Sequence, residues 1–254
     1  MTDLFWPGDD RAGDLMSDAA FLAALVEVEN AWLAVLIDAG IAPPAARADL
    51  TAVIAADDAE TVAAGAEAGG NPVIGLLGLL RERTGGETAR WLHRGLTSQD
   101  VIDTALMLCL RDGLSRIESE IATQVSTLAA LAETHHHAPM LARTLTQPAL
   151  PSTVGMKMAN WLSGVLDAAD AVAALPPLPV QAGGAAGTLA AATELTGSAA
   201  EAVALSGRLA TAVGLADAGP WHTTRSVITR VGDALVTCCD AWGHIAADVA
   251  TGSR

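Results

Sequence analysis

One stretch of the sequence limits the fold more than any other, because between Ser98 and about His136 there is no proline and the only glycine is Gly113. Proline and glycine are the residues that most disfavour a helix interior, so this stretch predicts a single helix of roughly 35 residues or more. The usual helix of a globular protein has three or four turns. A helix this long packs beside other long helices, and we therefore predict a helical bundle.

The rest of the chain also predicts helices. Tyrosine is absent, there are only two phenylalanines, and no clean alternating apolar segment is bounded by turns. We predict an all-α fold with a smaller N-terminal helical domain, residues 1–90, and a partial central helical bundle, residues 91–254. Apolar spacing, glycine and proline predict further helical segments at about 18–39, 46–65, from 72, 152–174, 189–213 and 224–250.

The charge argues against two classes of partner. The chain of 254 residues has a formal net charge of −15, so its field repels the phosphates of nucleic acid and anionic membrane lipid. A small anionic substrate would need a local positive site. The N-terminal residues lack the basic region of a secretory signal, and the apolar runs are shorter than the roughly 20 residues of a membrane span. With three cysteines, two of them adjacent, we expect a cytoplasmic protein with reduced thiols.

The start of the long helix carries the first candidate site, within WLHRGLTSQDVIDTA. Thr97-x-x-Asp100 matches a capping box, in which hydroxyl and carboxylate satisfy free backbone N–H groups, and this structural role is one interpretation. The other is a carboxylate site, because a helix N-terminus offers unpaired N–H groups and a positive dipole end. Gly95 allows close backbone approach, and His93 and Arg94 add donors or charge. Both interpretations stay open at this point.

Three more donor-rich stretches lie near the ends of predicted helices. LARTLTQPALPSTVGMK predicts a polar loop that its prolines keep rigid, with Arg143, Thr144 and Gln147 as candidate binding residues. QAGGAAGT has spaced glycines but neither the lysine nor the preceding strand of a nucleotide-phosphate loop. GPWHTTR places His222 and Arg225 at another helix start.

Three consecutive histidines at 135–137 could suggest a metal site. Neighbouring residues of a helix point about 100° apart, and no histidine or cysteine four residues on completes a metal-binding face. We therefore predict no metal ligands, and a solvated helix end for these histidines, where the negative end of the helix dipole suits them.

The segment HRGLTSQDVIDTA resembles the first signature of the fumarase/aspartase superfamily, in the branch of adenylosuccinate lyases and bacterial 3-carboxy-cis,cis-muconate cycloisomerases. The second stretch separates these two groups, because the adenylosuccinate enzymes carry Arg-Thr-His where this chain has Leu145 after Arg143 and Thr144. Gln147, GGAAGTLAA and PWHTTR resemble the cycloisomerases more closely, as do LVEVENAWLAVLIDAGIAP and NPVIGLLGLLR.

The resemblance implies an enzyme that uses acid/base chemistry on a small polycarboxylate without a metal or other cofactor. It also implies a homotetramer whose active sites combine loops of different subunits. Within such a site, we assign catalytic roles to His93 and Ser98 as a hypothesis. Substrate-binding roles fall to a larger set of residues: Arg94, Thr97, Gln99, Arg143, Thr144, Gln147, His222 and Arg225.

One element that the resemblance implies is not in the printed sequence. The superfamily's Gly-Ser-Ser-x-Met-Pro-x-Lys-x-Asn-Pro loop, which carries the catalytic serine, would follow HIAADVATGSR, so we expect a C-terminally incomplete bundle. Three functions stay open. The first is a 3-carboxy-cis,cis-muconate cycloisomerase of protocatechuate catabolism, the second is an adenylosuccinate lyase-like enzyme, and the third is a non-catalytic helical oligomerising relative without the serine loop.

Overall fold

Helices dominate the computed structural model, which describes residues 7–252. The α-helices are α1 (Asp18–Asp38), α2 (Asp58–Gly69), α3 (Pro72–Thr84), α4 (Gly86–Trp91), α5 (Ser98–Thr134), α6 (Val154–Ala173), α7 (Ala190–Thr196), α8 (Ala199–Val213) and α9 (Ser226–Gly252). Short 3-10 turns lie at Asp9–Ala12, Pro44–Ala46 and Leu50–Ala52. The predicted all-α class is confirmed.

Most of the predicted helix boundaries agree with the structure to within a few residues. The long helix α5 spans 37 residues and begins at Ser98, as predicted. Helix α3 begins at Pro72, behind Asn71, whose side-chain oxygen accepts a backbone hydrogen bond from the first turn at 3.0 Å. The largest difference lies at 46–65, where 3-10 turns precede α2 and the α-helix itself is correspondingly short.

The predicted polar loop between α5 and α6 is wrong, because this segment forms an antiparallel hairpin of β1 (Pro139–Thr144) and β2 (Gln147–Thr153). Leu145 and Thr146 form its two-residue turn, with φ angles of 49° and 63°. Hairpin turns with positive φ at both central residues normally contain asparagine or glycine. Leucine and threonine at these positions gave no turn signal in the sequence.

Two prolines in β2 also argued against a strand in the sequence. Pro148 lies opposite Arg143 and Pro151 lies opposite Leu141, with a register shift between Ala142 and Arg143. Proline removes a donor from a strand and is tolerated where the strand is an edge or is bulged. Both strands of a two-stranded sheet are edges, so this hairpin accommodates the two prolines.

Residues 7–113 and 177–225 form one of two compact units, here called unit 1. Helix α1 lies in the core of unit 1 and packs against α8. Its apolar residues recur three and four positions apart, which places them on the face that the core covers. The buried residues with this spacing include Leu22, Leu25, Val28, Trp32, Leu33 and Leu36. The predicted division at residue 90 stays a prediction.

Helix α1 is also long and apolar enough to span a membrane by length and composition, with a mean hydropathy of 1.8. This corrects the expectation that every apolar run of the sequence is too short. Of the apolar window in α1, 61% is buried inside the fold. The core helices of soluble proteins meet the same criteria, so the hydropathy of α1 is weak support for a membrane span.

Residues 114–176 and 226–252 form the second compact unit, here called unit 2. Its helices α6 and α9 pack together, and Trp161 of α6 donates a hydrogen bond from Nε1 to Oδ2 of Asp248 at 2.8 Å. Trp242 of α9 donates to Oε1 of Gln124 in α5 at 2.9 Å. Two indole N–H groups thus connect α9 to the other helices of unit 2.

The close packing of α5 against the start of α6 gives a stability prediction. A Cβ atom at Gly155 would lie 2.5 Å from the Cα atom of His136 and 2.6 Å from the carbonyl oxygen of Ala132. Because these are backbone atoms, we expect Gly155→Ala to lower the free energy of unfolding by about 2–3 kcal/mol, measured by urea denaturation.

Gly243 provides the matched control, since it is also a helical glycine of unit 2. A Cβ atom there meets nothing within 4 Å. Gly243→Ala should raise the free energy of unfolding by about 0.5–1 kcal/mol through helix propensity. Similar changes for both variants would contradict the close approach at Gly155.

Candidate functional site

The first turn of α5 contains a buried carboxylate that binds a distant loop. Asp100 is fully buried. Its Oδ1 accepts hydrogen bonds from Nε2 of Gln181 and the backbone N–H of Gly183, both at 2.9 Å. Its Oδ2 accepts from the N–H of Gly184 at 2.9 Å and the N–H of Thr97 at 3.0 Å. Four donors satisfy the carboxylate, which offsets the cost of its burial and fixes the glycine-rich loop on α5.

Gln181 extends this network from α5 to the loop before α9. Its Oε1 accepts hydrogen bonds from the backbone N–H groups of Trp221 at 2.7 Å and His222 at 2.9 Å. Its own backbone is held by Thr104 of α5, whose hydroxyl donates to the carbonyl oxygen of Gln181 at 3.0 Å and accepts from its N–H at 2.9 Å. One buried glutamine therefore joins α5, the glycine-rich loop and the PWHTTR loop.

A second carboxylate of α5 binds the end of the PWHTTR loop. Both terminal nitrogens of Arg225 donate to Asp103, at 2.6 and 2.9 Å, and one also donates to the carbonyl oxygen of His222 at 2.9 Å. The hydrogen bond with Asp103 raises the pKa of Arg225 despite partial burial. The guanidinium lies over the ring of Trp221, 5.1 Å from its centroid. The predicted substrate ligand Arg225 therefore has an ion-pair partner within the fold.

His93 lies in the loop between α4 and α5 and is bound to α1. Its Nδ1 is 2.6 Å from Oε1 of Glu29, which is fully buried. The backbone of His93 is left-handed, with φ of 64°. The next residue is fixed to the same helix, because Nε1 of Trp32 donates to the carbonyl oxygen of Arg94 at 2.7 Å. Glu29 and Trp32 are three positions apart on α1 and therefore share the face that this loop covers.

The side chain of Arg94 turns towards α4. Its Nε donates to the carbonyl oxygen of Arg90 at 3.0 Å, and its guanidinium lies 5.7 Å from the ring centroid of Trp91. The residue is exposed. The backbone of Arg94 helps to fix the loop, while a substrate-binding role for its guanidinium stays a prediction.

The predicted capping box is only half formed. Asp100 accepts from the N–H of Thr97, as the box requires, but within residues 7–252 the side chains of Thr97, Ser98 and Gln99 make no hydrogen bond. All three side chains are half-buried. The first turn of α5 thus presents two hydroxyls and an amide that the described part of the chain does not use.

The loops of unit 1 approach each other closely at Gly184 and Gly187. A Cβ atom at Gly184 would lie 3.5 Å from the carbonyl oxygen of Gly95, so the glycine-rich loop borders the HRG loop. A Cβ atom at Gly187 would lie 2.9 Å from Cβ of His222, so the same loop also borders the PWHTTR loop. A side chain at Gly187 would therefore clash with His222, whereas a Cβ atom at Gly184 would be in ordinary van der Waals contact with Gly95.

The other predicted binding residues lie on the hairpin of unit 2. Arg143, Thr144 and Gln147 are exposed near its tip. One terminal nitrogen of Arg143 donates to the carbonyl oxygen of Thr146 at 3.4 Å, and Leu145 at the tip is 95% exposed. The sequence predicted a shared site for these residues and those of unit 1, and that assignment stays a prediction.

Several structurally central residues of the site were missed in the sequence, namely Glu29, Asp103, Thr104 and Gln181. Asp100, Asp103 and Thr104 have the spacing i, i+3, i+4, which places three polar residues on one face of a helix otherwise rich in buried apolar residues. That spacing was the available signal. The local sequence does not identify the partners of Glu29 and Gln181, because those partners are more than 60 residues away.

The described residues contain no group of three or more histidine, cysteine, aspartate or glutamate side chains placed to hold a metal ion. Of the consecutive histidines, the rings of His136 and His137 lie 3.9 Å apart between centroids. Nδ1 of His136 contacts the carbonyl oxygen of Glu133 at 2.6 Å at the end of α5.

The family is defined by comparison with known proteins. The family model described as Lyase matches residues 33–251, and the chain belongs to this lyase family of the fumarase/aspartase superfamily. The resemblance carried by the HRGLTSQDVIDTA segment is thereby confirmed.

Two curated relatives that match nearly the whole chain have different names. The chain is 38% identical over 248 residues to nitrosuccinate lyase of Streptomyces davaonensis, covering 94% of this chain and 52% of that protein. It is 36% identical over 248 residues to 3-carboxy-cis,cis-muconate cycloisomerase of Bradyrhizobium diazoefficiens, covering 95% and 52%. The chain therefore spans about half the length of the curated relatives it matches.

A solved structure agrees with the family. The crystal structure of 3-carboxy-cis,cis-muconate lactonizing enzyme from Pseudomonas putida superposes with a TM-score of 0.84 at 32% identity, covering 92% of this chain and 54% of that one.

Among the curated relatives, adenylosuccinate lyase of Methanothermobacter thermautotrophicus matches a smaller part of the sequence. The match covers 35% of the chain, at 36% identity over 89 residues.

The network around Asp100 gives a prediction for stability. In Asp100→Asn one oxygen becomes an NH2 group, which cannot accept hydrogen bonds from the N–H groups that now converge on it. We expect the free energy of unfolding to fall by about 2–4 kcal/mol in urea denaturation.

Asp112→Asn is the control on the same helix, since Asp112 is exposed and, among the residues that the structure describes, forms its ion pair with the neighbouring Arg111 at 2.9 Å. Its effect should stay within about 0.5 kcal/mol. Equal effects of the two substitutions would show that the buried network does not stabilise the fold.

Proposed function

We propose that this chain supplies the carboxylate-binding and orienting part of an active site of the 3-carboxy-cis,cis-muconate cycloisomerase type. The observation that carries the proposal is the meeting of three donor-rich loops at the first turn of α5, with the Thr97 and Ser98 hydroxyls unpaired within residues 7–252. The similarity to cycloisomerases over nearly the whole chain supports a small polycarboxylate as the substrate.

The reaction places particular demands on such a site. A carboxylate oxygen of the substrate adds to one end of a conjugated double bond and forms the C–O bond of a five-membered lactone. The π electrons move to the neighbouring carbon, whose attached carboxylate takes up the negative charge, and a proton then adds to that carbon. Donors already fixed around this carboxylate stabilise the charge as it develops, and one positioned acid supplies the proton.

The residues of unit 1 are suited to the first of these tasks. Thr97, Ser98 and Gln99 would donate to one carboxylate together with the free backbone N–H groups at the start of α5. His222 borders the glycine-rich loop and would add a further donor. Arg225 would contribute positive charge, reduced by its pairing with Asp103. In a chain with a net charge of −15, these local donors offset the repulsion of an anionic substrate.

Two further parts of the proposal follow from the family. We propose that Arg143, Thr144 and Gln147 of the hairpin bind a second carboxylate of the substrate in a neighbouring subunit of a homotetramer. The proposed setting is the cytoplasm, in the β-ketoadipate pathway of aromatic catabolism, and no cofactor is needed for the proton transfer.

Nitrosuccinate is the second candidate substrate, because a nitrosuccinate lyase matches this chain at 38% identity. Its elimination would remove a proton next to a carboxylate and release nitrite, so negative charge again passes onto a carboxylate. Donors at the first turn of α5 would serve this reaction in the same way. The adenylosuccinate alternative is less well supported, since Leu145 replaces the histidine typical of those enzymes and the match is partial.

The substrate can be determined by titrating the purified chain with 3-carboxy-cis,cis-muconate, nitrosuccinate and adenylosuccinate in a calorimeter. Turnover is followed in the same samples by diene absorbance and nitrite release. We expect the muconate to bind most tightly. Tighter binding of nitrosuccinate would favour the second candidate, and a folded protein that binds none of the three would favour a non-catalytic relative.

Ser98→Ala tests the role of the α5 hydroxyls. Loss of a hydrogen bond to a charged carboxylate should weaken binding of 3-carboxy-cis,cis-muconate by about 10-fold or more, measured by calorimetry. The free energy of unfolding should change little, because the hydroxyl has no partner within residues 7–252. Ser115→Ala, an exposed position on the same helix, is the control and should leave binding unchanged. Equal binding by all three proteins would remove Ser98 from the site.

A further inference from the structure

The carboxylate of Glu29 is buried with only one hydrogen-bond partner. Its Oε1 contacts Nδ1 of His93 at 2.6 Å, and Oε2 is the buried side-chain polar atom without a partner among residues 7–252. Buried carboxylates are normally satisfied by several donors, because an unpaired oxygen loses its hydration without compensation. Asp100, with four donors, shows this normal pattern in the same unit. Within residues 7–252, the hydrogen bond with His93 is therefore the contact that offsets the lost hydration of the Glu29 carboxylate.

The position of the proton in this contact follows from the surroundings. A proton on Oε2 would create a buried donor without an acceptor, which is costly. A carboxylate that contacts one ring nitrogen of a histidine commonly accepts the hydrogen of that nitrogen and so fixes the tautomer. In that arrangement Nδ1 of His93 carries the hydrogen and donates to Oε1 of the Glu29 carboxylate. Such charge-assisted bonds are short, as the 2.6 Å distance is.

This arrangement leaves Nε2 as the ring nitrogen of His93 that can bind another molecule. Within residues 7–252, Nε2 has no hydrogen-bond partner, and the side chain remains 15% exposed. The contact of Nδ1 with Glu29 orients the ring, and the carbonyl oxygen of the next residue, Arg94, is bound to Trp32 of the same helix. Nε2 therefore stays at the surface of the HRGLTS loop, which also carries Thr97 and Ser98.

We propose that Glu29 is a positioning residue that keeps the hydrogen of His93 on Nδ1 and so presents Nε2 to a substrate carboxylate or to the transferred proton. The presentation of Nε2 to substrate rests on the proposed function, whereas the protonation of Nδ1 does not. A positive φ at histidine is a strained conformation that the surrounding contacts must maintain. The Glu29 bond supplies one of these contacts and orients the ring at the same time.

Nitrogen NMR of histidine side chains tests the proposal directly. In protein with 15N-labelled histidine, long-range correlations from the ring carbon-bound protons show which nitrogen is protonated, and His93→Gln identifies the signals of His93. The expected spectrum above neutral pH has hydrogen on Nδ1 and none on Nε2. Hydrogen on Nε2 alone, which is the form free imidazole prefers in water, would overturn the proposal.

Glu29→Gln tests whether Glu29 fixes the tautomer of His93 or only packs beside its ring. A glutamine side chain has nearly the same shape but can turn either its oxygen or its NH2 group towards Nδ1, so a mixture of the two tautomers should appear. Glu27→Gln changes an exposed carboxylate of the same helix and should leave the spectrum unchanged. An unaltered His93 spectrum in folded Glu29→Gln would contradict the role of Glu29. If Glu29→Gln does not fold, the tautomer measured in the unmodified protein still tests whether Nδ1 of His93 carries the hydrogen.

Addition of 3-carboxy-cis,cis-muconate distinguishes the two parts of the proposal. We expect the ligand to shift the Nε2 resonance of His93 in the unmodified protein and less so in Glu29→Gln. If Nδ1 is protonated as expected but saturating ligand, with binding established by calorimetry, leaves Nε2 unshifted, the substrate-facing role is overturned while the tautomer assignment stands. If no ligand binds at all, the proposed function fails independently of the tautomer.

Discussion

The buried carboxylate of Asp100 is the contact on which the site in unit 1 depends. It accepts hydrogen bonds from Thr97 beside it and from three donors at residues 181–184, so it joins parts of the chain more than 80 residues apart. The glycine-rich loop has few side chains with which to pack, and its own backbone hydrogen bonds join Gly187 to Gly184 and Leu189 to Gly183. Asp100 fixes this loop on the first turn of α5, and Gln181 in turn binds the PWHTTR loop.

A second helix fixes the remaining loop of the site. Glu29 and Trp32 of α1 bind the consecutive residues His93 and Arg94. Helix α1 is itself held by the apolar core of unit 1, so the HRGLTS loop is attached to one of the best-packed elements of the chain. Rigid helices on both sides place hydroxyl, amide and imidazole groups in fixed positions, which is the condition for stabilising a charge that develops during reaction.

The helices were predictable from the sequence because proline, glycine and apolar spacing act locally. The 37-residue α5 is the clearest example, since nothing within it interrupts helical hydrogen bonding. The hairpin at 139–153 was not predictable, because Leu145 and Thr146 form a turn usually made by glycine or asparagine and prolines interrupt β2. There, pairing between strands overrides the preferences of the individual residues.

The candidate site was only partly predictable, because several of its contacts join residues that are far apart in the sequence. His93, Thr97 and Ser98 stand out because they lie in a polar cluster at a helix start. Glu29 lies four positions from both Leu25 and Leu33, a spacing that places it on the apolar face of α1, but the sequence does not show that His93 is its partner. Burial and pairing across more than 60 residues are properties of the folded chain.

A crystal structure of this chain with bound 3-carboxy-cis,cis-muconate would test the proposed carboxylate site most directly. We expect a substrate carboxylate within hydrogen-bonding distance of the Thr97 or Ser98 hydroxyl and of the backbone N–H groups at the start of α5. A ligand bound elsewhere on the chain, with the first turn of α5 occupied only by water, would contradict that assignment.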